Sequence, residues 1–111
     1  MWYVAKIVFK ICNEGRPQFD EHLRLIEASG FEEAFLKSRM LGLREEVYFV
    51  NDSEKPVRWE FVNVPELYPI SSLADGIELH SAIREEDEAD AYVKMIHQKA
   101  VSMQLMQAPI F

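Results

Sequence analysis

Residues 2 to 12, WYVAKIVFKIC, have side chains that alternate in character, and the fold prediction starts from this alternation. One row of alternate residues is wholly apolar and consists of Tyr3, Ala5, Ile7, Phe9 and Ile11. The other row has Lys6 and Lys10 among apolar residues. Successive side chains of a strand point to opposite faces. The pattern therefore predicts a strand with one face in the core and a mixed face on the other side.

A second strand is predicted directly after it, at residues 18 to 27, beyond the turn sequence NEGRP. Gly15 tolerates a positive φ and Pro17 fixes the exit from the turn. In this strand an apolar row alternates with a polar row: Phe19, Leu23 and Leu25 against Asp20, His22 and Arg24. The two strands should form an antiparallel hairpin, and we expect the polar row to face away from the covering helix.

The sequence ASGFEEAFLKSRMLGL predicts a helix that covers the apolar face of the sheet. Ser29 and Glu32 have capping-box spacing, and Gly42 is the predicted C-terminal cap. A second hairpin follows in EEVYFVNDSEKPVRWEFVNV, and PELYPISSL is predicted to be an ordered loop. A fifth strand is predicted over residues 77 to 84, and a last helix from about Glu86. The order β-β-α-β-β-β-α predicts an α+β fold, an antiparallel β-sheet with helices packed on one face.

The length of 111 residues favours a single domain. Residues 1–86 are predicted to form the α+β domain. Residues 87–111 are predicted to form a C-terminal helix and tail, packed on that domain or in a dimer interface. Which of these two arrangements holds is left open by the sequence.

The charge of the chain restricts its partners. The formal net charge is -7, and the 12 basic residues are scattered, which argues against nucleic acid as a partner. An acidic surface attracts basic protein partners instead. The one cysteine, Cys12, excludes an internal disulfide. No signal sequence and no membrane span is recognised, so a soluble, cytoplasmic protein is expected, with no membrane association.

Several blocks of the chain together resemble a known family. These blocks are MWYVAKIVFKI, QFDEHLRLIEA, FEEAFLKSRMLG, VRWEFVNVPELYPI and DGIELHS. In this order they resemble a small bacterial family catalogued as a domain of unknown function, number 4288, over roughly residues 1 to 86. The resemblance implies a soluble α+β domain of bacterial origin. It implies no activity, cofactor or catalytic residue.

The pair Glu78 and His80 is the most suggestive chemical feature of the sequence. On a strand these two side chains share a face, and His22 or Glu60 on a neighbouring strand would complete three zinc ligands. Glu78, His80, His22 and Glu60 are therefore the candidate ligand or metal face. The favoured alternative is a half-exposed sheet face on which charges simply alternate. No catalytic residue, no metal and no cofactor is predicted.

A candidate interface comes from the apolar residues of the mixed sheet face and of the last helix. Exposed apolar patches of more than a few hundred Å² usually mark interfaces. The candidate interface residues are Trp2, Val4, Tyr48, Met103, Met106 and Phe111. Two alternatives stay open: a one-residue slip of the face assignment at a bulge, and a methionine row that is plain core.

These features favour a non-catalytic protein-interaction module, a homodimer with a protein partner that charge suggests is basic. One specific version is an immunity- or antitoxin-like protein that neutralises a basic toxin. The rival hypothesis is a small enzyme, or a metal- or ligand-binding domain, that uses the Glu78/His80 sheet face.

Overall fold

The computed structural model describes residues 1–106. Its elements are β1 (Trp2–Cys12), β2 (Gln18–Glu27), α1 (Phe31–Arg44), β3 (Val47–Val50), β4 (Pro56–Ile70) and α2 (Ala89–Met106). The chain divides into two compact units, residues 1–81 and the residues from 82 onward. The predicted α+β class with an antiparallel sheet is confirmed.

All four strands form one antiparallel sheet in the order β2-β1-β4-β3. β1 and β4 are the two inner strands, each with a neighbour on both sides. The apolar row of β1 from Tyr3 to Phe9 lies in the core, as the sequence predicts. Ala5 and Ile7 are fully buried, and Phe9 is 1% exposed. We call the side of the sheet that carries Tyr3, Ala5, Ile7 and Phe9 the helix face, and the opposite side the outer face.

Helix α1 packs on the helix face with a stripe of small residues, Ala34, Ser38 and Gly42. A Cβ at Gly42 would lie 2.4 Å from the Phe61 ring and 3.2 Å from Ile7. Gly42 therefore lies inside the helix, at the point where α1 comes closest to the sheet. Its predicted role as C-terminal cap is wrong, since α1 continues to Arg44.

The start of α1 also differs by one residue from the prediction. Gly30 is the N-cap, and the Ser29 hydroxyl donates to Glu33. Glu32, the residue predicted to complete the capping box with Ser29, precedes the residue that bonds to Ser29 by one position. Glu33 is the third residue of the helix, which is the position from which a carboxylate reaches back to the cap region.

Strand β4 runs through the segment that was predicted to be a loop. Its register with β1 shifts on both sides of Val8, and Pro65 lies at the second irregularity, between the pairs Val8–Asn63 and Lys6–Glu66. A proline is tolerated at a bulge because the ladder hydrogen bond is already interrupted there. The prediction of a loop in PELYPISSL is therefore wrong up to Ile70.

The predicted fifth strand is absent from residues 77–84, which have no regular structure. Gly76 adopts a φ of +82° at the turn before this segment. The His80 ring stacks on Tyr68 of β4, with ring centroids 4.0 Å apart. The segment around His80 thus contacts the face of a strand and pairs with no strand edge among residues 1–106.

In the second unit, α2 has Asp90 in its first turn, where the helix dipole favours an anion. The guanidinium of Arg84 lies 5.7 Å from the centre of the Tyr92 ring. Between residues 82 and 105 only Tyr92 is half-buried and the other side chains are exposed. No helix of the described residues is long and apolar enough to cross a membrane.

Candidate functional site

The predicted ligands His22 and Glu60 lie on opposite faces of the sheet. His22 pairs with Ile7 on the helix face, and its ring lies 5.0 Å from that of Phe9. Glu60 pairs with Lys10 on the outer face. The structure therefore does not bring His22 and Glu60 together.

The reversed position of His22 corrects the face assigned to the polar row of β2. Asp20, His22 and Arg24 point to the helix face, and the apolar row of Phe19, Leu23 and Leu25 lies on the outer face. The reason is a register that pairs Ile11 with Gln18 across the turn. A shift of one residue in the register moves every side chain of a strand to the other face.

The polar row of β2 forms a cluster at the border of the helix face. Asp20 accepts hydrogen bonds from His22 at 2.8 Å and from the Trp59 indole at 3.1 Å. Arg24 donates to Glu45, the residue after α1, at 2.5 Å. The bond from His22 holds the pKa of Asp20 below its usual value, and the Trp59 bond acts in the same direction against the effect of desolvation. The cluster is internally satisfied and ties β2 to β4 and α1.

A second network lies on the outer face around Lys6. Its ammonium group lies 2.7 Å from Glu21 and 3.4 Å from Glu66, and the Tyr68 hydroxyl donates to Glu66 at 2.7 Å. The bond with Glu21 raises the pKa of Lys6. The Tyr68 bond lowers the pKa of Glu66 and in turn raises the pKa of Tyr68. Lys6 therefore stays positively charged and Glu66 negatively charged at neutral pH.

Glu78 and His80 lie at the edge of this network, and both side chains are exposed. They border an open depression of about 310 Å³ that Tyr68 and Pro69 also line. Within residues 1–106, no group of three or more His, Cys, Asp or Glu side chains could hold a metal ion. The arrangement can stack a planar group and accept hydrogen bonds.

The predicted interface residues have different environments. Trp2 is half-buried, and Val4 is only 3% exposed, so its own chain covers it. Tyr48 is 69% exposed on β3, and Met103 is 63% exposed on α2. The side chain of Met106 and the whole of Phe111 lie outside the described residues.

One exposed apolar row of the sheet was not predicted from the sequence. Phe19, Leu23 and Leu25 are 58%, 69% and 51% exposed, although their alternation suggested core. The signal that could have identified them is the length of the β1–β2 turn, because loop length sets the register of a hairpin.

Comparison with known proteins adds the family. The family described as "Domain of unknown function (DUF4288)" matches residues 2–81. This range contains all four strands and α1. No curated protein and no solved structure matches the chain. The resemblance inferred from the sequence is confirmed, and since the match covers well over half of the chain, the protein belongs to the DUF4288 family.

Proposed function

We propose that the protein is a non-catalytic protein-interaction module that forms a homodimer and binds a protein partner. The observation that carries this proposal is the exposed apolar row of β2, Phe19, Leu23 and Leu25, on the outer face. Three large apolar side chains in one row are costly to leave in water, and such patches mark interaction surfaces.

The neighbouring strand β1 borders this apolar row with one charged and one buried residue. On the outer face Leu23 lies beside Lys6, and Leu25 lies beside the buried Val4. The ion pairs of Lys6 provide a polar boundary next to the apolar row. An apolar patch with a polar rim is the usual composition of a protein–protein interface.

The net charge of -7 supports a basic partner for the surface that the homodimer leaves free. In its most specific form, the module is an immunity- or antitoxin-like protein of a bacterial cytoplasm that neutralises a basic toxin. Small size and acidity support this form. Its expected signature is binding that weakens as salt concentration rises, because salt screens charge attraction.

The homodimer is tested by light scattering coupled to size exclusion over a range of protein concentrations. The expected mass is twice the 13.0 kDa of one chain. The double variant L23E/L25E should shift the mass to that of one chain, with a dimer dissociation constant at least tenfold higher. The matched control is L36E/M40E, which changes two residues of α1 that are 60% and 59% exposed. A single-chain mass at every concentration, or equal effects of both double variants, contradicts the proposal.

A second candidate function is ligand binding or a small enzymatic activity at Glu78 and His80. The stacked rings of His80 and Tyr68 beside the depression favour it. Calorimetric titration with zinc and, separately, with imidazole tests this function, using His80→Ala as control. Heat of binding that is lost in His80→Ala supports it, and no heat from either probe contradicts it.

A further inference from the structure

The outer edge of β2 is a long and regular strand edge. All ten residues of β2 are strand, with no proline and no interruption of the register with β1. Within residues 1–106 no strand pairs with its other edge. Of the features that normally protect such an edge, β2 has charged side chains but no bulge, no proline and no shortened length. The opposite edge of this sheet is β3, which has only four residues.

We propose that two copies of the chain pair through this edge, with their β2 strands antiparallel and His22 opposite His22 at the two-fold axis. The inference rests on the proposed homodimer and specifies its interface. Pairing of the two edges joins the four-stranded sheets into one sheet of eight strands, in which the backbone groups of both edges find partners.

Symmetry limits the registers that are available. Residues directly opposite each other point to the same face, and a two-fold axis perpendicular to the sheet preserves the faces. Even-numbered residues of β2, which lie on the helix face, must therefore oppose even-numbered residues of the second copy. The axis must then pass through a residue and not between two residues.

The charged residues of β2 favour one of these registers over the others. An axis at Asp20, Glu21 or Arg24 would place identical charges opposite each other, which is unfavourable. An axis at Leu23 would set His22 opposite Arg24 and form no ion pair. An axis at His22 sets Asp20 opposite Arg24 of the second copy, and symmetry forms this pair twice.

The same register also pairs two residues of the apolar row, while Leu23 lies opposite Glu21 of the second copy. Phe19 then lies opposite Leu25 of the second copy on the outer face, again twice, and these side chains are among the exposed apolar residues described above. Asp20 and Arg24 remain 36% and 34% exposed, so each has surface left for a partner beyond its existing bonds. Charge complementarity and apolar pairing thus agree on one register.

The register is tested by disulfide trapping in the full chain, with Cys12→Ser as background so that only introduced cysteines react. Cross-strand partners lie within the Cα separation that a disulfide spans. His22→Cys should therefore give a cross-linked dimer in high yield under mild oxidation. Leu25→Cys is the control, because two copies of residue 25 would lie about 20 Å apart at 3.4 Å per residue. A mixture of Phe19→Cys and Leu25→Cys chains should cross-link efficiently.

The outcomes separate this inference from the homodimer itself. A wild-type mass of two chains without cross-linking of His22→Cys overturns the edge register and leaves the homodimer standing. Equal cross-linking of His22→Cys and Leu25→Cys also overturns the register. A wild-type mass of one chain overturns both proposals.

A charge exchange gives an independent test if His22→Cys folds poorly. Asp20→Arg alone and Arg24→Asp alone should each weaken the dimer at least tenfold, because each places like charges opposite. The chain that carries both changes should recover dimer affinity to within about threefold of wild type. Failure of the folded double variant to recover contradicts the pairing, and circular dichroism establishes that each variant is folded.

Discussion

Gly42 sets how closely α1 approaches the sheet. A Cβ there would meet the Phe61 ring at 2.4 Å, far inside normal contact. Gly42→Ala gains about 1 kcal/mol of helix propensity but overpacks the core by about 1–3 kcal/mol. We expect a net loss of about 1 kcal/mol in the free energy of unfolding, measured by urea denaturation, and a larger loss for Gly42→Val.

Gly30→Ala is the matched control, because a Cβ at the N-cap of α1 meets nothing within 4 Å. Its backbone is extended, so alanine fits without strain. Equal or smaller destabilisation by Gly42→Val than by Gly30→Ala would show that α1 can move away from the sheet at little cost.

Asp20 makes part of the stability depend on pH. Its pKa in the folded chain lies below the ordinary value of 3.8, through the bonds from His22 and Trp59. A carboxylate with a lowered pKa stabilises the fold above its unfolded pKa, and this contribution is lost as pH falls through the folded pKa. We expect Asp20→Asn to cost about 1 kcal/mol or less at pH 7, given the partial exposure of the side chain, and the cost to shrink below pH 4.

Urea unfolding of wild type and Asp20→Asn at pH 7 and pH 3 measures this difference. Asp52→Asn, in the exposed turn between β3 and β4, controls for the loss of one negative charge. If Asp20→Asn lowered the free energy of unfolding equally at both pH values, the stability would not depend on the ionisation of Asp20.

Among the elements, β2 is the strand whose two faces were predicted the wrong way round. The alternation in β2 correctly predicted the strand, but an alternating strand can present either row to the core. The length of the β1–β2 turn decides which row faces the core, because it sets the register that pairs Ile11 with Gln18. A turn one residue longer or shorter would reverse the two faces of β2. Because β2 is an edge strand, the apolar row that contains Leu23 can remain exposed. In the polar row, Asp20 bonds to Trp59 of β4.

The prediction of the fifth strand failed for a different reason. Alternation around Ile77 and Leu79 resembles that of a strand, but a strand also needs a neighbouring edge to pair with. The segment instead contacts the sheet through His80, which stacks on Tyr68. A contact between a ring and a sheet face depends on long-range geometry, which residue periodicity does not encode.

This contact predicts a local effect of changing His80. His80→Ala removes the ring that stacks on Tyr68, so the backbone amides of residues 71–81 should exchange hydrogen at least threefold faster. Amides of β1 and β4 should be unchanged, because their bonds lie within the sheet. Hydrogen exchange with mass spectrometry measures both regions.

Ser72→Ala, an exposed change in the same segment, is the control. Unchanged exchange over residues 71–81 in His80→Ala would mean that other contacts hold the segment.

At the scale of the whole molecule, the part of the chain that belongs to the family nearly coincides with a compact unit. The family covers residues 2–81, and the first unit is residues 1–81. The block VRWEFVNVPELYPI, one of those that resemble the family, contains the buried residues Val57, Val64 and Ile70. The candidate metal face could not be judged from sequence, since it required His22 or Glu60 to lie beside His80, which depends on strand order and register.

The last prediction is that residues 1–81 fold and dimerise by themselves. The sheet, α1 and the β2 edge all lie in this unit, and its core is formed by its own residues. A chain that ends at Ser81 should unfold cooperatively and show a light-scattering mass of two chains, because the edge pairing does not involve α2. The Asp20→Arg change in this shorter chain should yield a single-chain mass. A shorter chain that is folded by circular dichroism but monomeric, beside a dimeric full chain, would instead assign dimerisation to the residues from 82 onward.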